Sequence, residues 1–375
     1  MNQPHMSLVI TTINVPTLLE EYVDNFEKYG HLKHTSAIVI GDKKTPHEEC
    51  KKLCGKLRDR GFRAQYVDLP EQEKYLDRFP KFKPLVPYNS DNRRNIGYLM
   101  AVEQGADILV AVDDDNFVMS EDWYAGHAHL GKVGTYKTVT TSTGWYNPCD
   151  LMNLEPNLRV YARGYPYNKR WVPHEEKYAP TQGRVVLNGG LWLREPDVDS
   201  LTRLSVPSQG KSMKEQRIML APGVMAPINT QNTAFHRDTV PAFYFVPVGD
   251  PVSGLPVERY GDIWAGYFVK KAIDHLGDRI TYGAPACDHR RNVHRLLHDL
   301  ELELWSVQFS DQLAEHVLST PMKSSNYCDA YLELADHLER GEWKHKRVAG
   351  EAKAFFDRMA RAMRVWVDVC WQIGY

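Results

Sequence analysis

Apolar and polar positions alternate between two periods over the first hundred or so residues, and that alternation predicts an α/β domain. Ser7–Thr12 is an apolar run bounded by polar residues and reads as a buried strand. Leu18, Leu19, Tyr22, Val23 and Phe26 then recur at helical spacing, with Asn14 as candidate N-cap, Pro16 in the first turn and Gly30 as the stop. Ser36–Ile40 is a second strand ending at Gly41-Asp42, His47–Arg60 a helix and Phe62–Val67 a third strand. Tyr98–Gly105 reads as a helix feeding the continuous apolar run Ile108–Val112. This β-α-β-α-β order predicts a mostly parallel sheet flanked by helices, with right-handed crossovers and ligands beyond the carboxyl ends of the strands.

The pattern changes further on. Lys132–Pro247 is rich in Pro, Gly, Tyr and Asn between short strands, and reads as the second, ligand-binding half of the same domain. From about Asp311 helical patterns dominate, at Tyr331–Arg340 and Ala352–Ile373. In the last of these Phe355, Met359, Ala362, Met363, Trp366, Cys370 and Ile373 form one apolar stripe. The stripe either packs on the domain or joins copies in a homo-oligomer. The expected division is one large α/β domain over 1–310 and a C-terminal helical extension over 311–375.

The strand Ile108–Val112 runs straight into Asp113-Asp114-Asp115. Adjacent carboxylates at a strand end repel one another, and a bound cation relieves that repulsion. Mg²⁺ and Mn²⁺ take oxygen ligands and share them with substrate phosphates. The bland reading is a solvated acidic turn. The same sheet edge places Thr11, Thr12, Asn14 and Asp42 where a base and ribose would lie, although each serves equally as a cap or turn residue. Arg93 and Arg94, just upstream of the acidic strand, either cap a helix or hold a diphosphate.

Bulk composition narrows the class. The 375 residues are 43% hydrophobic and 25% charged, which fits a globular protein with one large or two modest domains. A net charge of −2 gives no electrostatic footprint for nucleic acid. No apolar stretch approaches the ~18 residues of a spanning helix, the last helix lacks a basic face for a membrane surface, and Met1–Ser7 lacks a signal-peptide pattern. A cytoplasmic enzyme is expected. The 6 cysteines are scattered and build neither a disulfide framework nor a zinc site; Cys50 and Cys54 read as half-buried thiols.

Four further segments carry candidate chemistry. Arg163-Gly-Tyr-Pro-Tyr-Asn-Lys-Arg170 sets two arginines around a turn, as surface charges or as a cationic rim over a sugar diphosphate. Gly189 and Gly190 allow close backbone approach, and Trp192 beyond them can stack on a sugar or fill the core. Asn232 lies in a run of polar amides that suits sugar hydroxyls or a turn. Asp262 sits where the helical spacing of Trp264, Phe268, Lys271, Ala272 and His275 begins, as helix cap, catalytic carboxylate or both. His289 is a candidate third metal ligand beside Asp113 and Asp115.

Together the strings VDDDN (112–116), RGYPYNKR (163–170), GLWL (190–193), NTAFHR (232–237), ERYGDIWAGYFVK (258–270) and DHLG (274–277) resemble the reversibly glycosylated polypeptides, or UDP-arabinopyranose mutases. The resemblance covers roughly residues 95 to 310. It implies a GT-A-like fold and metal-dependent interconversion of pyranose and furanose forms of a nucleotide sugar. It also implies a glycosylatable arginine at Arg163 or Arg170, a metal (Mn²⁺ or Mg²⁺) on the acidic triplet, and a metal role for His289. The departures are Gly261-Asp262, where the family pairs two acids, and Leu187-Asn188 in place of Ser-His. They open a GDP-linked deoxyhexose as an alternative to UDP-arabinose. An ordinary glycosyltransferase and a non-catalytic nucleotide-sugar-binding subunit are the rival functions.

Overall fold

The computed structural model describes residues 3–292 and 295–375. Its parallel half is built from β1 (Met6–Thr12), β2 (Thr35–Gly41), β3 (Arg63–Val67) and β4 (Ile108–Val112). β1 lies between β2 and β4, and β3 flanks β2, all in parallel register. Side chains of a strand point alternately to the two faces of a sheet. Met6, Leu8 and Ile10 accordingly join one core cluster with Leu19, Tyr22, Phe26, Leu53 and Leu57 of the helices Leu18–Tyr29 and His47–Asp59. Val9 faces the other cluster, with Ile96 and Leu99 of the helix Arg94–Glu103. Cys50 and Cys54 are fully buried rather than half-buried, because both fall on the inner face of their helix. Thr17, not Asn14, stands at the N-cap of the first helix.

The sheet continues beyond β4 with mixed polarity. Asn232–His236 runs antiparallel to β4 and to the long strand Glu176–Arg194. That strand pairs in parallel with Arg279–His289. The short strand Asn116–Val118, leaving the acidic turn, pairs antiparallel with the end of Arg279–His289, with Asn116 opposite His289. This pairing brings a histidine more than 170 positions downstream against the turn.

The helices Leu296–Ser319, Tyr327–Glu339 and Ala349–Gln372 close the chain. Asp311 lies inside the first of them. In the last helix Phe355, Met359, Ala362, Met363, Trp366 and Cys370 are all buried, and their cluster is continuous with the core under the sheet. The Trp366 ring stacks on Tyr244 at 5.0 Å and meets Phe82 at 5.6 Å, and its Nε1 donates to the Val240 carbonyl at 3.2 Å. The apolar stripe therefore packs within the chain. Among the described residues no helix is long and apolar enough to cross a membrane.

Candidate functional site

At the carboxyl edge of the parallel strands the three aspartates take three different environments. Asp113 accepts from Arg94 Nη2 at 2.5 Å. Arg94 is buried and also donates to the Thr230 carbonyl at 2.5 Å and to Thr11 Oγ1 at 3.0 Å, so it laces together the ends of β1 and β4 and the segment before Asn232–His236. Burial pushes Asp113 up to about 7, with the Arg94 charge opposing. Asp114 turns to the end of β1, accepting from Thr12 Oγ1 at 2.5 Å and Asn14 Nδ2 at 3.2 Å. Burial raises Asp114, against the Thr12 hydroxyl.

Asp115 faces His289. Its Oδ2 lies 3.5 Å from His289 Nε2, while His289 Nδ1 lies 2.5 Å from the Glu195 carbonyl. Burial works to raise Asp115, but the hydrogen bond and charge of His289 hold it below its ordinary value. Burial works to lower His289, and Asp115 holds it above its ordinary value. A ring whose Nδ1–H is fixed on a carbonyl presents Nε2 as a ligand nitrogen once that atom has lost its proton. Among the described residues no group of three or more His, Cys, Asp or Glu side chains is arranged to hold a metal. Asp115 and His289 supply two adjacent donors, and Asp113 is turned to Arg94. Two protein donors suit a hard divalent ion that takes its remaining oxygens from phosphates and water.

Arg163 has a different character. It is buried, and Nε and Nη2 clasp Asp197 at 2.9 and 3.1 Å, while Nη1 and Nη2 clasp Asp262 at 3.1 and 2.9 Å. Nη1 also donates to the Arg259 carbonyl. All five guanidinium N–H groups are thereby used. Burial opposes its charge, but Asp197 and Asp262 hold Arg163 well above its ordinary value. Arg259 presents that carbonyl from a left-handed backbone at φ 62°, uncommon for a residue with a Cβ. Asp262, in the first turn of the helix Gly261–His275, also accepts from the Thr230 backbone N–H at 3.4 Å. The segment Asn229–Gln231 thus touches both groups: Thr230 binds Arg94 and Asp262, and Asn229 Nδ2 donates to Asp197 at 2.7 Å.

The other candidates are dispersed. Arg170 pairs with Asp199 at 2.6 Å and lies over the Tyr167 ring at 3.7 Å. Arg93 is buried and donates to Gln72 Oε1 at 2.8 Å, packed on Tyr88, so its guanidinium serves the core beside the site. Asp42 accepts from the backbone N–H groups of Lys43 and Ser90 at 2.7 and 3.2 Å, a turn function. The glycine pair serves close packing of strands: a Cβ on Gly189 would sit 2.5 Å from Tyr282, and one on Gly190 would sit 2.3 Å from Asn232 Nδ2. Asn232 itself is fully buried and donates to the Pro285 carbonyl at 3.0 Å, and Trp192 is 3% exposed in the core.

Asn229 and Thr230, which open the run of polar amides that contains Asn232, organise this region through Asp197 and Arg94, while Asp197 and Asp199 do so without having been singled out in the sequence. The alternating acids of Glu195-Pro-Asp197-Val-Asp199 were the available signal. Three more arginines gather near His289. Arg203 pairs with Glu195, Arg259 with Glu303 at 2.9 Å, and Arg291 with Asp299 at 3.2 Å. Burial, then the charges of Arg203 and Arg259, push Arg291 down to about 10.

The chain is similar to proteins named for one activity. It is 30% identical over 368 residues to probable UDP-arabinopyranose mutase 1 of Pisum sativum, covering 97% of this chain and 89% of that protein. It is 29% identical over 284 residues to UDP-arabinopyranose mutase 3 of Arabidopsis thaliana, covering 73% of this chain and 70% of that one. Among solved structures it is similar to glucosyl-3-phosphoglycerate synthase from Mycobacterium tuberculosis in complex with Mn²⁺, UDP and phosphoglyceric acid. That likeness has a TM-score of 0.39 and 14% identity, over 85% of this chain and 80% of that one. The model of the family described as reversibly glycosylated polypeptide matches residues 1–374, and the chain belongs to that family.

Proposed function

We propose that this protein is a mutase that interconverts the pyranose and furanose forms of a UDP-linked sugar, with no external acceptor. The observation that carries the reading is Asp115 and His289 side by side where β4 ends, 3.5 Å apart, next to Asp114 and the end of β1. A diphosphate there meets two metal donors and the Arg203, Arg259 and Arg291 cations, and the nucleoside lies over Thr11, Thr12, Asn14 and Asp42. Mn²⁺ or Mg²⁺ held by Asp115 and His289 would neutralise the diphosphate and make it a better leaving group.

The chain's own residues do the rest by placement. The bond from the anomeric carbon to the diphosphate breaks, a different sugar hydroxyl bonds to the anomeric carbon and gives up its proton, the old ring oxygen leaves that carbon and takes a proton up, and a diphosphate oxygen bonds again to the anomeric carbon, so that the product is an isomer. Arg163 is a weak candidate for a nucleophile in this sequence, because a guanidinium clasped by two carboxylates keeps its proton and has no free lone pair. It acts as a positioning residue, holding Asn229–Gln231 and the start of the helix Gly261–His275 against Arg94 and Asp113.

The UDP assignment rests on the names of the relatives and on the character of the departures. Asn188 is fully buried and bonded to Ala284 and His127, and a Cβ on Gly261 would sit 2.6 Å from Phe245. Both positions answer to internal packing and give no reason for a purine. Incubation with Mn²⁺ and UDP-arabinopyranose, and separately with a GDP-linked deoxyhexose, tests the proposal without acceptor. A furanose isomer of equal mass from the UDP-sugar is expected. Conversion of the GDP-sugar alone would overturn the base assignment. Slow release of free sugar and nucleotide would favour a transferase, and binding without turnover a non-catalytic subunit.

A further inference from the structure

We propose that the groove beside Trp171 is a binding subsite for a neutral carbohydrate chain, separate from the nucleotide site. Trp171 is 87% exposed, the highest value among the exposed large apolar side chains of the described residues, and its neighbour Val172 is 43% exposed. The indole stands at a surface groove of about 710 Å³ whose polar wall is formed by Asp150, Arg159, Arg170, His174, Glu176 and Lys214, with Arg170 held on Asp199 at 2.6 Å.

That wall is already organised. Arg159 binds Asp150 through two bonds, at 3.2 and 2.6 Å, and meets His174 Nε2 at 2.9 Å. His174 lies 3.5 Å from Glu176, and Lys214 Nζ donates to the Asp150 carbonyl at 3.3 Å. The groups hold one another in place, so a ligand meets fixed donors and acceptors and loses little affinity to ordering them.

The mixture selects a ligand class. A sugar ring has an apolar C–H face that covers an indole and a rim of hydroxyls that donate and accept. An apolar ligand would strip water from six charged or polar side chains without replacing their hydrogen bonds. A strongly anionic ligand would meet Asp150 and Glu176 and find both guanidiniums already committed, Arg159 to Asp150 and Arg170 to Asp199. A neutral glycan satisfies both the ring and the wall, and the open groove admits several units of a chain.

The test is calorimetric titration of the full chain, without nucleotide or metal, with cellohexaose, xylohexaose, maltohexaose and arabinohexaose, repeated with Trp171→Ala and Trp171→Phe. Saturable binding of at least one oligosaccharide is expected, weakened at least about tenfold in Trp171→Ala and largely kept in Trp171→Phe. Melting temperatures of all three proteins should agree. No saturable binding by any of the four overturns the proposal, as does equal binding by Trp171→Ala. Self-association that Trp171→Ala abolishes would also overturn it, assigning the indole to contact between copies. Because no nucleotide sugar is used, failure here and failure of mutase activity are separate results.

Discussion

The Asp113–Asp115 turn and the Arg163 cluster are both charged and both lie at the carboxyl side of the sheet, yet they are built for opposite ends. At the turn the three carboxylates go to three different partners at a partly exposed edge: one aspartate has Arg94, one has the neutral donors Thr12 and Asn14, and one has His289 at 3.5 Å with donors from Asn116 and Asn292. At Arg163 nothing is left over. Two carboxylates and a carbonyl take every donor of one guanidinium inside the protein. Three adjacent carboxylates kept partly open to solvent mark a place that a cationic ligand completes, whereas a buried guanidinium with every donor used marks a joint.

The largest effect should come from breaking the joint. Arg163→Met leaves Asp197 and Asp262 buried without a counter-charge, and a loss of ~3–5 kcal/mol is expected in chemical unfolding. A variant as stable as the wild type would show that the cluster is not structural. At the turn the expected loss is of function. Asp115→Asn should lower turnover by about 100-fold, as the loss of a metal-site group does, with a loss of stability smaller than that of Arg163→Met, because only the Asp115–His289 pair is broken. Comparable loss of stability in that variant would erase the distinction between the two regions.

Acid acts on both regions, since Asp115 and Asp197 are each held below the ordinary carboxylate range, and its action on the joint can be isolated at Asp197. Burial opposes the charge of Asp197, but Arg163 holds its carboxyl below the ordinary range. Its stabilisation is complete above the unfolded value of about 3.9 and is lost as pH falls through the lower folded value. The wild type should therefore lose stability more steeply below pH ~4 than Asp197→Asn does, measured as unfolding midpoints across pH. Parallel curves would remove Asp197 from the joint. The smallest effect is at Thr12. Thr12→Val deletes one bond to Asp114 and should weaken UDP binding in Mn²⁺ about fivefold, or ~1 kcal/mol; unchanged affinity would detach Asp114 from the nucleotide.

Sequence reasoning reached these two regions unequally. Strands β1 to β4 and their helices carry local periods, so their order and the position of the acidic turn could be read directly. The Arg163 cluster has no period. Asp197 is 34 positions away and Asp262 is 99, so each alone looks like a loop acid or a helix cap. The helix Leu296–Ser319 escaped for a related reason: Asp299 and Glu303 lie on its buried face, which blurs the apolar stripe. Glycines and Trp192 looked like ligand-facing residues because close approach and aromatic stacking are also what strand packing requires.

Titration of UDP in the presence of Mn²⁺ into Asp115→Asn and Asp197→Asn, with melting curves taken beside it, tests the contrast most directly. The account predicts that Asp115→Asn binds at least about tenfold more weakly and melts above Asp197→Asn, while Asp197→Asn melts lower and binds like the wild type. The opposite assignment, with binding lost at Asp197 and stability lost at Asp115, would contradict it.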